Sequence, residues 1–393
     1  MEPMRGIRII DVTSNASGPM ATGMLADQGA DVIRLEPVGA GDPSRHVGGS
    51  RGGVSAYNAY MNRNKRSMAV DFKNAALKPW LYKLIETADV FVQNSRPGAL
   101  DRSGFGFGDL HRINPSLIYV SISGFGPVGP GANARVYDPV IQSVAGFAAA
   151  QGVGGAPALM KTIASDKVAA VTASQAISAA LFARERGNAG GHHVELSMLD
   201  ASLAFLWPEV YWNHSFVGEE GVSKKPLIAE FYRLLKTRDG HVNMIIVGDG
   251  EFRGACRAMG IDALMHDPRF QTLGDRFANY SLMLAEFEKV APGFDSDTLV
   301  SRLEAEDVPC AKVNTFEQVL EDPRVAARQS IIEYDHPKGG RMRQARAPAI
   351  FAGEPCQVRL PAPDLGEHTA ALLAEAGASA ADIESLRSAG AIG

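Results

Sequence analysis

The chain has 393 residues, 46% of them hydrophobic and 21% charged, enough apolar material for two or three packed domains and too little charge for a disordered tail. Its 39 basic and 44 acidic residues leave a formal net charge of −5, which excludes a general electrostatic hold on nucleic acid or an anionic membrane. An anionic ligand has to be met by a local cluster of cations.

In chain order, "IRIIDVT" (7 to 13) is β-branched and bounded by turn residues, "GPMATGMLADQGA" (18 to 30) carries Met20, Met24 and Leu25 at helical spacing, and "DVIRLE" (31 to 36) is strand-like again. This is a β-α-β unit, which crosses over right-handed and builds a parallel sheet. Further strand patterns are "DVFVQN" (89 to 94), "LIYVSIS" (117 to 123) and "HHVELSML" (192 to 199), so the first 200 or so residues read as one α/β domain. The texture changes at "WPEVYWNHSF" (207 to 216), and "GEEGVSKKP" (218 to 226) is a polar connector. A hairpin signal, "RDG" (238 to 240), then opens a smaller α+β unit, and "GEHTAALLAEAGASAADIESLRSAGAIG" (366 to 393) holds two short helical patterns split by "GAS". The expected limits are 1–205 for the large α/β domain, 206–228 for a linker, 229–325 for the small domain and 326–393 for the return.

Cys256, Cys310 and Cys356 are few and far apart, without the spacing of a disulfide framework or a zinc site, and suit reduced thiols in a cytoplasm. The opening "MEPMRGIRIIDVT" lacks the features of a signal peptide, and the longest weakly charged stretch, Val168 to Ala183, is too short to span a bilayer. A soluble cytoplasmic protein is expected.

The first strand-to-helix turn reads "TSNASGP" and lacks G-x-G-x-x-G, which argues against a dinucleotide although Glu36 stands where its ribose partner would be. No phosphate loop or G-x-S-x-G motif occurs, and His192 and His193, adjacent on a strand, point to opposite faces and cannot readily share a metal ion. Arg63, Lys65, Arg66, Lys73, Arg96, Arg102 and Arg135 fall near loops; each alone reads as solvated, and several together could hold a polyphosphate. In "IASDKVAAVTASQAISAALFARERG" (163 to 187), Ser165 and Asp166 open a helix of small residues and read first as its caps.

Six segments in order, "GADVIRLEPVGAGDPSR", "NRNKRSMAVDFK", "NSRPGALDRSGFGFGDLHRINPSLIYVSISGFGPVGP", "GHHVELSMLDASL", "VPCAKVNTFEQVLEDPRV" and "GEHTAALLAEAG", resemble the family III CoA-transferases, the group that includes formyl-CoA transferase, carnitine CoA-transferase and α-methylacyl-CoA racemases. The resemblance covers nearly the whole chain. It implies a Rossmann-like large domain made from both chain ends, a smaller domain between them, and two chains interlaced as a homodimer. It also implies acyl-CoA and a small carboxylic acid as substrates, with no tightly bound cofactor and no metal.

The same resemblance makes Asp166 the covalent nucleophile of a CoA-transferase working through an aspartyl-CoA thioester. It maps CoA contacts onto Ala16, Ser17, Val70, Lys73, Asn94, Ser95, Arg96, Arg102, Arg135 and Tyr137. An aspartate with an ordinary pKa near ~3.9 is ionised at neutral pH, and a helix N-terminus favours the anion further. Tyr137 stands where racemases of the family place a histidine, and a phenol with an ordinary pKa near ~10 is a poor base, which favours transfer over racemisation. Asn15 and Ala16 replace a larger polar side chain of formyl-CoA transferase, and its long glycine run is reduced to Gly248, Asp249 and Gly250, so a different acid pair is expected. An acyl-CoA racemase or epimerase, and a non-catalytic acyl-CoA-binding protein, are the alternatives.

Overall fold

The computed structural model describes residues 1–152, 155–187, 190–218 and 220–393 and divides into two compact units, one of residues 1–208 and 329–393, the other of 209–328. Glu219, within the expected connector, lies outside the described residues.

The first unit is built on six parallel strands: β1 (Arg8–Asp11), β2 (Asp31–Pro37), β3 (Lys65–Val70), β4 (Val90–Gln93), β5 (Ile118–Ser123) and β6 (His193–Ser197). They lie in the order β3-β2-β1-β4-β5-β6. The order reverses between β1 and β4, and the crevice beyond the carboxyl ends of strands at such a switch point is where open α/β sheets bind ligands. Alternation along each strand sorts side chains to two faces. Ile9, Val32, Val90, Val92, Ile118 and Val120 enter one core, while Ile10, Ile33, Met68, Phe91 and Tyr119 enter the other.

The first face is covered by α1 (Ser17–Asp27) and, further along the chain, by α7 (Ala164–Glu185); the second is covered by helices that include α3 (Lys78–Glu86) and α5 (Phe107–Ile113). Between them in sequence lie α2 (Ala56–Asn62) and α4 (Ala99–Ser103), and after them come α6 (Asp138–Ala145), α7 (Ala164–Glu185) and α8 (Met198–Val210). The helix α8 carries the chain beyond residue 206, where the sequence pattern starts the connector. The return segment ends in helices Thr369–Glu375 and Ala380–Ser388, whose Leu372, Leu373 and Leu386 join the second core.

The helix α7 is alanine-rich, and Ala169, Ala170, Ala173, Ile177 and Leu181 form its buried stripe. That stripe packs with α1, itself small-sided at Ala21, Gly23 and Ala26. Gly23 has a second reason to lack a side chain: a Cβ there would lie 2.5 Å from the Met61 carbonyl oxygen of α2. Backbone cannot yield as a flexible side chain would. Gly23→Ala is therefore expected to lower the unfolding free energy by about 1–3 kcal/mol, read from urea melts.

The second unit has an antiparallel three-stranded sheet, Leu234–Lys236, His241–Met244 and Cys310–Lys312, and the expected "RDG" turn joins its first two strands. Its own core includes Leu235, Phe252, Phe270, Phe287 and Leu303.

Candidate active site

Two contiguous cavities of about 120 and 240 Å³ open at the carboxyl ends of β1, β4 and β5, and Asn15, Asn94, Ser123, Gly124, Val136 and Tyr137 line both. The inner one adds Ala16, Ser17 and Asp166; the outer one adds Ser95, Arg96 and Arg135. Eight of the eleven expected site residues, Ala16, Ser17, Asn94, Ser95, Arg96, Arg135, Tyr137 and Asp166, therefore meet in one crevice at the switch point. Val70, Lys73 and Arg102 line neither cavity. The Val70 side chain is core, 1% exposed, so it cannot present that side chain to a ligand. Lys73 and Arg102 are exposed, Arg102 with one guanidinium nitrogen over Gly98.

The crevice is shaped by hydrogen bonds between loops. Asn94 accepts the Ser14 N–H at 2.9 Å and donates to the Ser14 carbonyl at 2.8 Å, tying the turn after β1 to the turn after β4. Asn15 adopts φ +65°, a left-handed conformation that asparagine tolerates, and its N–H goes to Asp42 at 3.0 Å. Gly18 follows at a point where a Cβ would stand 2.3 Å from Thr13 Cβ. The turn thus closes tightly enough to aim the start of α1 at Asp166.

Asp166 is the third residue of α7, and the structure overturns its reading as a cap. It lines the inner cavity together with Ser17, whose N–H and hydroxyl at the start of α1 favour its ionised form. Ser165 has a buried hydroxyl with no partner among the described residues. The N-terminus of α7 is capped from outside by Asp138, 3% exposed, whose Oδ1 accepts the Asp166 N–H at 3.1 Å. Gln142 holds the other Asp138 oxygen at 2.6 Å and also binds the 160–162 loop, donating to the Thr162 carbonyl at 2.9 Å and accepting the Met160 N–H at 2.9 Å.

This arrangement reverses the expected electrostatics. Burial, with the nearby Asp138 carboxyl adding to it, raises the Asp166 pKa to about 6, against the lowering by the two Ser17 donors. The group is still mostly ionised at pH 7. Tyr57, partly buried on α2, is pushed to about 12 by burial and by the charges of Asp166, Asp42 and Asp138, so its phenol stays protonated at neutral pH. Neither Asp138 nor Tyr57 stood out in the sequence, because neither carries a spacing signal that points to Asp166.

The expected cluster of basic residues does not form as a phosphate site. Lys65 is fully buried against Asp11, Arg63 is bound to Asp27, and Arg66 is bound to Asp31 and Glu375. Arg96 and Arg135 remain at the outer cavity, exposed and without a carboxylate partner among the described residues. No group of three His, Cys, Asp or Glu among the described residues is arranged to hold a metal. A cavity of about 250 Å³ inside the second unit has mainly aromatic and aliphatic walls, including Phe231, Tyr280 and Phe287, with Arg233 and Arg276 beside them, and among the described residues no carboxylate or thiol lines it.

Compared with known proteins, residues 4–369 match the family described as CoA-transferase family III. The chain belongs to that family. It is 32% identical to a succinate–glutarate CoA-transferase of Agrobacterium fabrum, over 95% of each chain. It is 32% identical to a formyl-CoA:oxalate CoA-transferase of Escherichia coli, over 98% of each. The crystal structure of a CAIB/BAIF family protein from Brucella suis is similar, with a TM-score of 0.82 at 31% identity over 95% of this chain and 99% of that one. CoA transfer is thus the chemistry of this family III enzyme. No helix among the described residues is long and apolar enough to cross a membrane.

Proposed function

We propose that this family III enzyme moves CoA between an acyl-CoA and a free carboxylic acid with Asp166 as covalent nucleophile. The observation that carries the reading is a single one: among the described residues Asp166 is the only acidic side chain lining the inner cavity, which it shares with Ser17, and its pKa is raised to about 6. A carboxylate of that pKa is more basic than an ordinary aspartate, hence more nucleophilic, while remaining largely ionised.

In the first step an Asp166 oxygen attacks the donor thioester carbonyl, and the tetrahedral adduct expels CoA thiolate to leave a mixed anhydride. The thiolate then attacks the Asp166 carbonyl carbon and expels the donor carboxylate, forming the aspartyl-CoA thioester. The acceptor carboxylate attacks that thioester, again releasing thiolate, which takes the new acyl group and frees Asp166. Charge and atoms balance, and no ATP is needed, since the aspartyl-CoA thioester has about the energy of the acyl thioester it replaces and each higher-energy anhydride is consumed by the CoA thiolate released with it. Arg96 and Arg135 are assigned to the CoA phosphates. Ala16, Asn94, Ser95 and Tyr137 are assigned to the walls of its path, and Lys73 and Arg102 to its outer reach.

Racemisation needs a second base beside the α-carbon, and among the described residues no histidine lines the inner cavity to supply one. The readings are separated by incubating the enzyme with acyl-CoAs in deuterated water, with and without a second carboxylate. Transfer requires the carboxylate, whereas α-proton exchange without it would overturn the proposal.

We also propose the interlaced homodimer. Val140, Val144, Val171, Phe182, Phe205 and Trp207 leave apolar surface exposed on α6, α7 and α8, which a second copy would cover. A stable folded monomer in light scattering at low concentration would exclude it.

A further inference from the structure

We propose that Lys65 is a positioning residue for the transfer, its buried ammonium pinning the start of α1 so that the Ser17 N–H and hydroxyl stay on Asp166. The inference rests on the reading of Asp166 as the nucleophile and adds to it the device that keeps this carboxylate in place.

Lys65 is 0% exposed. Its ammonium lies 3.0 Å from Asp11 Oδ2, 2.9 Å from the Pro19 carbonyl, 2.8 Å from Thr22 Oγ1 and 3.0 Å from Asn62 Oδ1. It has three protons for four acceptors, so none is left over. Pro19 and Thr22 belong to the first two turns of α1, directly after Ser17. Thr22 passes its own proton to Asp11 Oδ2 at 2.7 Å, while Asp11 Oδ1 takes the Thr13 N–H at 3.0 Å and the Thr13 hydroxyl at 2.5 Å. One ammonium and one carboxylate therefore grip the turn on both sides of Ser17.

A second brace reaches the middle of the same turn. Arg34, also 0% exposed, pairs with Asp11 at 3.4 Å and with Asp42 at 3.1 Å, and Asp42 accepts the Asn15 N–H at 3.0 Å. Glu36 completes the cluster, 3.6 Å from Arg34 and 2.6 Å from Arg45. Stability alone does not account for so many charges in the interior, because well-packed apolar side chains commonly serve a helix-to-sheet contact as well or better. What the charges add is direction. The bonds to the Thr13 N–H, the Asn15 N–H and the Pro19 carbonyl fix particular backbone atoms of the turn, and donors acting on a reacting group have to be held to about 0.5 Å.

The test combines Asp11→Asn with Lys65→Met, so that no single charge is stranded. A parallel Thr22→Val variant removes one hydroxyl from the grip at nearly constant shape and carries the test should the double variant not fold. Two quantities are read in variants shown to be folded by circular dichroism. The first is the titration midpoint of the Asp166 carboxyl, from carbon NMR of γ-labelled aspartate assigned with Asp166→Asn. The second is the rate of hydroxamate formation at Asp166 from acyl-CoA and hydroxylamine at pH 8. The midpoint is expected to rise by about half a unit or more as the Ser17 donors are lost, and the rate to fall about tenfold or more, with the CoA dissociation constant within about threefold of wild type. Thr22→Val is expected to move both in the same direction by less.

A folded variant with a wild-type rate overturns the proposal, as does one whose rate falls while the midpoint stays put. Wild-type enzyme that forms no hydroxamate refutes the nucleophile reading separately, and the carboxyl titration then still decides whether Lys65 holds Ser17 on Asp166.

Discussion

Asp166→Asn should fold, bind CoA, and lose transfer by at least about a thousandfold, because an amide cannot form the anhydride or the aspartyl thioester. Wild-type protein incubated with acyl-CoA and hydroxylamine is expected to gain a hydroxamate at Asp166 by intact mass and peptide mapping, and the variant is expected to gain none. The same substitution should make the protein more stable. An aspartate whose folded pKa is about 6 against an ordinary 3.8 binds its proton more tightly in the folded state, so ionisation works against folding. That penalty is absent below pH 3.8, grows between pH 3.8 and 6, and is complete above 6. Neutral asparagine escapes it. Urea melts at pH 8 should show the variant more stable by about 1–3 kcal/mol, the gain shrinking toward zero near pH 4. A variant that retains transfer, or one that is less stable at pH 8, contradicts the account.

Asp138→Asn separates the two jobs of the neighbouring carboxyl. Its charge helps raise the Asp166 pKa, behind the larger effect of burial, and its oxygens receive the Asp166 N–H and the Gln142 amide. Without the charge, the acid limb of transfer should move down from near pH 6 by about half to one unit. The new amide has one oxygen for two donors, so either the start of α7 or the Gln142 bridge to the 160–162 loop loses a bond. The rate on the plateau should fall about tenfold to a hundredfold and stability by about 1–2 kcal/mol. An acid limb that stays in place would show that Asp138 is not what Asp166 feels.

Hydrophobic periodicity located β1, α1, β2, β4, β5, β6 and the two terminal helices, because those patterns repeat within a few residues, but it did not mark β3. Position alone misjudged the basic stretch around Lys65. Arg63, Lys65 and Arg66 look like a solvated cluster in sequence, yet their partners Asp27, Asp11, Asp31 and Glu375 come from other parts of the chain. Val70 sits in a segment that resembles a CoA-contact region, but its place in a parallel strand turns the side chain into the core.

An α/β chain with a small-residue helix opening at Asp166 is legible from the residues in order, and the order of its motifs carried its likeness to family III. That is so because strand alternation, helix spacing and turn chemistry are written in neighbouring residues. What kind of acid Asp166 is depends on the folded arrangement around it. Its donors come from the start of α1 and its like-charged neighbour from the start of α6, and burial with that neighbour raises its pKa where an isolated helix N-terminus would lower it. An electrostatic environment is a sum over space, and a linear pattern does not say which distant groups will be brought together.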